Sequence, residues 1–109
     1  MAAIRRADVV WEGTLARGSG QVTAASSQAF TDLPVSWAAR TERSDGKTSP
    51  EELVAAAHAS CFAMALSFGL GNAGTPPERL EVSATVTFDQ VDGGWKVVSS
   101  ALEIGRAHV

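Results

Sequence analysis

The sequence predicts an α+β protein in which an antiparallel sheet packs on one long, buried central helix. Three observations carry this. The stretch Ser49–Gly71 is apolar almost without interruption and opens on a helix start signal. Segments on both sides of it alternate apolar and polar residues with the period of a strand. Glycine-rich turns rather than helical connectors join those segments in pairs, which makes neighbouring strands antiparallel.

Taken in order, Asp8–Leu15 reads as a strand with Val9, Trp11 and Leu15 on one face. Ala16–Gly20 is a turn, and Gln21–Ala25 can run back as its hairpin partner. Ser26–Leu33 is polar and predicts a loop. Val35, Trp37 and Ala39 alternate again, predicting a third short strand that ends near Arg40. The charged connector Thr41–Thr48 predicts an exposed loop, from which Arg40 and Arg43 could be aimed at the helix.

The helix start is strongly marked. Ser49 can cap it, Pro50 suits the first helical position, and Glu52 completes a Ser-x-x-Glu capping box. Gly69 and Gly71 offer left-handed stops. About five turns lie between, with alanine filling the gaps between larger residues. A helix apolar on all sides is expected to be buried. Asn72–Glu78 is a linker. Leu80, Val82, Ala84, Val86 and Phe88 then alternate with polar residues, Asp92-Gly93-Gly94 signals a hairpin, and Trp95–Leu102 returns.

At 109 residues the chain fits one domain. Twelve acidic against 9 basic residues give a net charge of −3 with no basic run, which argues against nucleic acid as a partner. A single cysteine forms no disulfide within the chain and suits a reducing compartment. No apolar run follows Arg5 and Arg6, so no signal peptide is read. The helix, interrupted by His58 and Ser60, reads as too short for a membrane span. These features predict a soluble, cytoplasmic protein.

Chemistry concentrates on the helix. Cys61 is either packing filler or a functional thiol. A thiol reacts as its thiolate, which a positive neighbour favours. The helix dipole fades within the first turn, so activation must come from a side chain brought in by the fold. His58 shares a face with Cys61 at i−3 and is either a base or a buried histidine satisfied by hydrogen bonding. His-x-x-Cys supplies only two ligands, too few for zinc, so no metal is expected. Glu52 is explained by the capping box, whereas Glu51 is either a solvated first-turn carboxylate or a site residue. Ten residues separate Glu51 from Cys61, about 15 Å of rise and roughly 80° of rotation. The two cannot touch within one helix.

The motif Pro50-Glu-Glu-Leu-x-x-Ala-Ala-His-Ala-x-Cys-Phe-x-Met-Ala-Leu-Ser67 resembles the signature of the OsmC/Ohr family of thiol peroxidases, and its His-Ala-x-Cys-Phe core is closer to the OsmC branch. Trp11-Glu12-Gly13 and Val91-Asp92-x-Gly94 also fit, so the resemblance covers residues 8 to 103. It implies one OsmC-like domain over residues 1–103, normally an intertwined homodimer with sites at the subunit interface. It implies a peroxidase that reduces organic hydroperoxides and, less well, hydrogen peroxide, with no cofactor and an external thiol or dithiol reductant. Cys61 matches the peroxidatic thiol. Arg40 matches the arginine that favours the thiolate and orients the peroxide, with Arg17 the second choice. Glu51 matches the glutamate that holds that arginine.

Members of the family continue past the position of residue 103 with a helix carrying a resolving cysteine. Residues 104–109 resemble an in-frame reading of a sequencing adapter, so an artificial tail on a truncated chain, with impaired turnover, is expected. Two other functions stay open on the residues themselves. One is a non-catalytic dimeric module that binds an apolar ligand, with Cys61 as packing. The other is a one-cysteine redox sensor that is sulfenylated without turnover.

Overall fold

A computed structural model describes Met1–His108. The element order is β1 (Asp8–Glu12), β2 (Ser19–Thr23), β3 (Leu33–Val35), α1 (Trp37–Thr41), α2 (Pro50–Asn72), β4 (Arg79–Val91) and β5 (Gly94–His108). The α+β class with antiparallel strands holds. The strands form two sheets rather than one, a three-stranded β1-β2-β3 and a two-stranded β4-β5. The chain correspondingly divides into two compact units, Met1–Pro50 and the segment from Glu51 onward.

In the first unit the hairpin register pairs Val9 with Val22, Trp11 with Gly20, and Gly20 with Val35. Residues directly opposite one another share a sheet face, so Val9, Trp11, Val22 and Val35 gather on one side. Val22 and Val35 form the buried apolar centre there. Gly20 is fixed by this packing: a Cβ at that position would meet the Trp11 ring at 2.7 Å and Val35 at 2.9 Å.

β1 stops at Glu12 instead of running to Leu15. Gly13 takes φ +95° and turns the chain, and the Trp11 indole Nε1–H donates to the Gly13 carbonyl at 3.0 Å. The third strand likewise stops early, at Val35. Ser36 caps a helical turn instead, its hydroxyl accepting from the Ala39 N–H at 3.1 Å, so Trp37 and Ala39 are helical and not strand. A serine cap competes well with a two-residue extension of an edge strand. The connector 41–48 is also tied down at its end: Thr48 bridges Val35 in parallel and donates its N–H to the Pro34 carbonyl at 2.9 Å.

The helix α2 starts at Pro50 and runs 23 residues, passing straight through Gly69 and Gly71. Gly74 supplies the stop, at φ +86°. Its N–H donates to the Gly71 carbonyl at 3.1 Å, and the Thr75 N–H reaches back to the Leu70 carbonyl at 2.9 Å. This pair of bonds is the Schellman pattern, which needs one left-handed residue just past the helix. At this length the helix is long and apolar enough to cross a membrane by length and composition alone, which corrects the expectation that it is too short.

Alternation along β4 is clean, with Leu80, Val82, Ala84, Val86 and Phe88 half-buried between exposed polar neighbours. The return is a two-residue loop, Asp92-Gly93, with both residues at positive φ (52° and 81°), the type I′ turn that matches strand twist. Trp95 stacks on Phe88 with ring centroids 5.1 Å apart. β5 continues past Leu102, and its backbone pairs as far as His108 opposite Arg79. Two bulges re-phase it, at Gly105 and Val98. Of the segment 104–109, Val109 lies outside the described residues.

The expectation of a helix buried on all sides is corrected. In α2 only Glu51 is buried. Leu53, Ala55, His58, Ala59, Phe62, Ala63, Leu66 and Leu70 are half-buried, and they recur at helical spacing along one stripe. Val54, Met64 and Phe68 on the other side are 48%, 72% and 71% exposed. A two-stranded sheet is about 10 Å wide, one helix diameter, so within this unit the hairpin can shield only one stripe.

Candidate functional site

Two of the residues singled out from the sequence, Glu51 and Cys61, lie in opposite environments on α2. Glu51, in the first turn, is 7% exposed. Among the described residues no buried side-chain oxygen or nitrogen lacks a hydrogen-bond partner, so its carboxylate is satisfied. Cys61, two to three turns later, is a free and exposed thiol. The sequence places this thiol in a buried setting; the structure puts it on the open stripe with Val54, Ala57, Met64 and Phe68. Their spacing of three and four residues makes these five a continuous line along the rod. Because α2 is an unbroken helix, the separation of Glu51 and Cys61 by about 15 Å along its axis stands.

His58 sits one turn before Cys61, at the border of the half-buried stripe. Its Nδ1 is hydrogen-bonded to the Ser100 hydroxyl of β5 at 2.5 Å, the imidazole tautomer setting which group donates. Sequence reasoning had His58 without its partner. Ser100 was missed because it sits in Val97-Val98-Ser99-Ser100, where alternation breaks down. The bulge at Val98 is the cause: it moves Ser100 opposite Val86, onto the apolar face of the hairpin.

Both candidate arginines belong to the first unit. Arg40 lies in the last turn of α1 and not at a strand end. It is half-buried, and its guanidinium carbon stands 5.9 Å from the centre of the Trp37 ring, a cation–π arrangement that restrains the side chain. Arg17 is exposed in the loop between β1 and β2, where its N–H donates to the Thr14 hydroxyl at 3.3 Å. Among the described residues no group of three or more His, Cys, Asp or Glu side chains could hold a metal ion.

The segment that carries His58, Cys61 and Ser100 is also the segment that matches a known family. Residues 43–105, more than half of the chain, match the model of the OsmC-like proteins. The chain belongs to the OsmC family. Peroxiredoxin OsmC of Escherichia coli (strain K12) is 43% identical over 93 residues, which are 85% of this chain and 64% of that protein. Peroxiredoxin OsmC of Shigella flexneri matches to the same extent. The chain thus spans 64% of the length of these relatives.

Proposed function

We propose that this chain is a cysteine-based peroxidase that reduces organic hydroperoxides, and hydrogen peroxide less well, through the thiolate of Cys61. One observation carries the reading: a free, exposed thiol on the helix of the family-matched segment, in a chain whose relatives bear the name peroxiredoxin. The thiolate attacks the terminal peroxide oxygen, the O–O bond breaks, and the products are a Cys61 sulfenic acid and an alkoxide that leaves as the alcohol after taking a proton. Cys61 is the only cysteine of the 109 residues. Within this chain the sulfenic acid is therefore resolved by an external thiol, which forms a mixed disulfide and releases water. A second thiol then frees Cys61 and leaves as the disulfide. Dependence on that outside thiol is expected to slow turnover.

In this reading Arg40 favours the thiolate and orients the peroxide, with Arg17 the alternative, and Glu51 holds the arginine. No metal or organic cofactor takes part, and the protein works in the cytoplasm. Because Glu51 and Cys61 are about 15 Å apart along one helix, one arginine spans them or two copies combine. The exposed apolar line through Val54, Met64 and Phe68 supports a homodimer.

The test is hydroperoxide consumption with a dithiol reductant by wild type and Cys61→Ser at equal folding. Loss of consumption is expected, and retained consumption removes Cys61 from the mechanism. The same exposed apolar line favours a second reading, a module that binds an apolar ligand with no chemistry at Cys61. In that case Cys61→Ser leaves ligand binding intact and the wild type consumes no hydroperoxide.

A further inference from the structure

The inward faces of α2 and of the β4-β5 hairpin are apolar except at one point on each. Between Leu80 and Phe88 on β4, and between Val97 and Ile104 on β5, register puts Ser100 as the one polar residue among aliphatic and aromatic neighbours. On the half-buried stripe of α2 His58 is the one polar residue. These two meet, at 2.5 Å. A matched polar pair in an otherwise apolar contact fixes both partners, because either one alone would lose its hydrogen bond on a surface that offers no other.

We propose that Ser100 is a positioning residue for the thiol: its hydroxyl accepts from Nδ1–H of His58, so the imidazole takes up and releases its proton at Nε2 beside Cys61. His58 and Cys61 stand three residues apart on one helix surface, where side chains are neighbours. The equilibrium is a proton transfer, direct or through solvent: Cys61 thiol and neutral His58 on one side, Cys61 thiolate and imidazolium on the other. A hydroxyl that accepts from Nδ1–H is compatible with both imidazole states, while the charged ring favours the neighbouring thiolate.

Arg79, Glu81, Asp89, Lys96 and Glu103 alternate onto the other face of the hairpin. On α2 itself, Glu51 lies seven residues before His58 and Glu52 six. The use of this thiolate rests on the peroxidase reading; the proton equilibrium itself does not, and it is measurable without any hydroperoxide.

The test uses the purified chain as wild type, Ser100→Ala, Ser100→Thr, His58→Gln and the Ser100→Ala/His58→Gln double variant. Alkylation of Cys61 by iodoacetamide is followed across pH, and the ring nitrogens of His58 are observed by NMR. At neutral pH, Ser100→Ala and His58→Gln are expected to slow alkylation about two- to fivefold, the scale of a partly exposed charge pair. Their profiles move to higher pH, Ser100→Thr restores the wild-type rate, and the double variant is no slower than His58→Gln. An unchanged profile in a folded Ser100→Ala overturns the proposal. So does a neutral His58 protonated at Nε2 in the wild type, a measurement that decides even if Ser100→Ala does not fold. A His58-dependent profile in a chain that consumes no hydroperoxide supports this inference and overturns only the peroxidase reading.

Discussion

Glu51 and Cys61 stand on one uninterrupted helix, yet Glu51 is 7% exposed and Cys61 is open to solvent. A carboxylate is buried only where its oxygens are satisfied, whereas a thiol tolerates either setting. The first turn of α2 is therefore a fixed point, and the middle of the helix is accessible for chemistry or association.

Removing the buried carboxylate leaves whatever satisfies it without a partner. Glu51→Ala is expected to cost about 1–3 kcal/mol in urea unfolding, whereas the neighbouring exposed Glu52 is expected to cost less. Equal stability of Glu51→Ala and wild type contradicts a satisfied, buried Glu51.

The glycines in and just after α2 separate into two kinds. Gly69 and Gly71 lie inside the helix, and a Cβ at either meets nothing within 4 Å. Alanine there is expected to add about 0.5–1 kcal/mol each, because it restricts the unfolded chain and suits the helix. Gly74, at φ +86°, is expected to lose about 1 kcal/mol as alanine. Thermal melts of the three variants check the signs. Destabilisation by Gly69→Ala or Gly71→Ala would mean that another surface covers that end of the helix.

Gly20 is held between Trp11 and Val35, with a Cβ forced to within 2.9 Å of both side chains. Gly20→Ala is expected to cost about 1–3 kcal/mol, the usual penalty of overpacking. Denaturant unfolding monitored by tryptophan fluorescence measures it, and a neutral result is incompatible with this packing of β2.

An apolar line that includes Met64 at 72% and Phe68 at 71% exposure is costly in water. Wild type is expected to sediment as a dimer at micromolar concentration, and Phe68→Glu as a monomer. A wild type that stays monomeric throughout the concentration range removes self-association as the role of this line.

Much of the first unit was legible in the sequence, because alternation and glycine turns are local signals. Its errors were local too. Gly13 and Ser36 each redirect the chain within a residue or two, and alternation across Val35, Trp37 and Ala39 carries no warning of a helical cap. In the second unit Asp92-Gly93 set the turn, and Leu80–Phe88 set the buried face of β4. Gly74 was overlooked as the helix stop because Gly69 and Gly71 come first, and only the 6→1 bond from Thr75 to Leu70 distinguishes them.

By itself the sequence determined the class of elements, the position of the long helix, and the placing of Glu51, His58 and Cys61 along it, since those follow from periodicity and rise per residue. Only the tertiary structure decided that the helix keeps one apolar line exposed, that Arg40 sits on a capped turn, and that a bulge at Val98 turns Ser100 toward His58. These depend on contacts between residues far apart in the chain: the pair that meets at 2.5 Å is separated by 42 positions. No local pattern encodes such a distance, because strand register and bulges set it only once the sheet has formed.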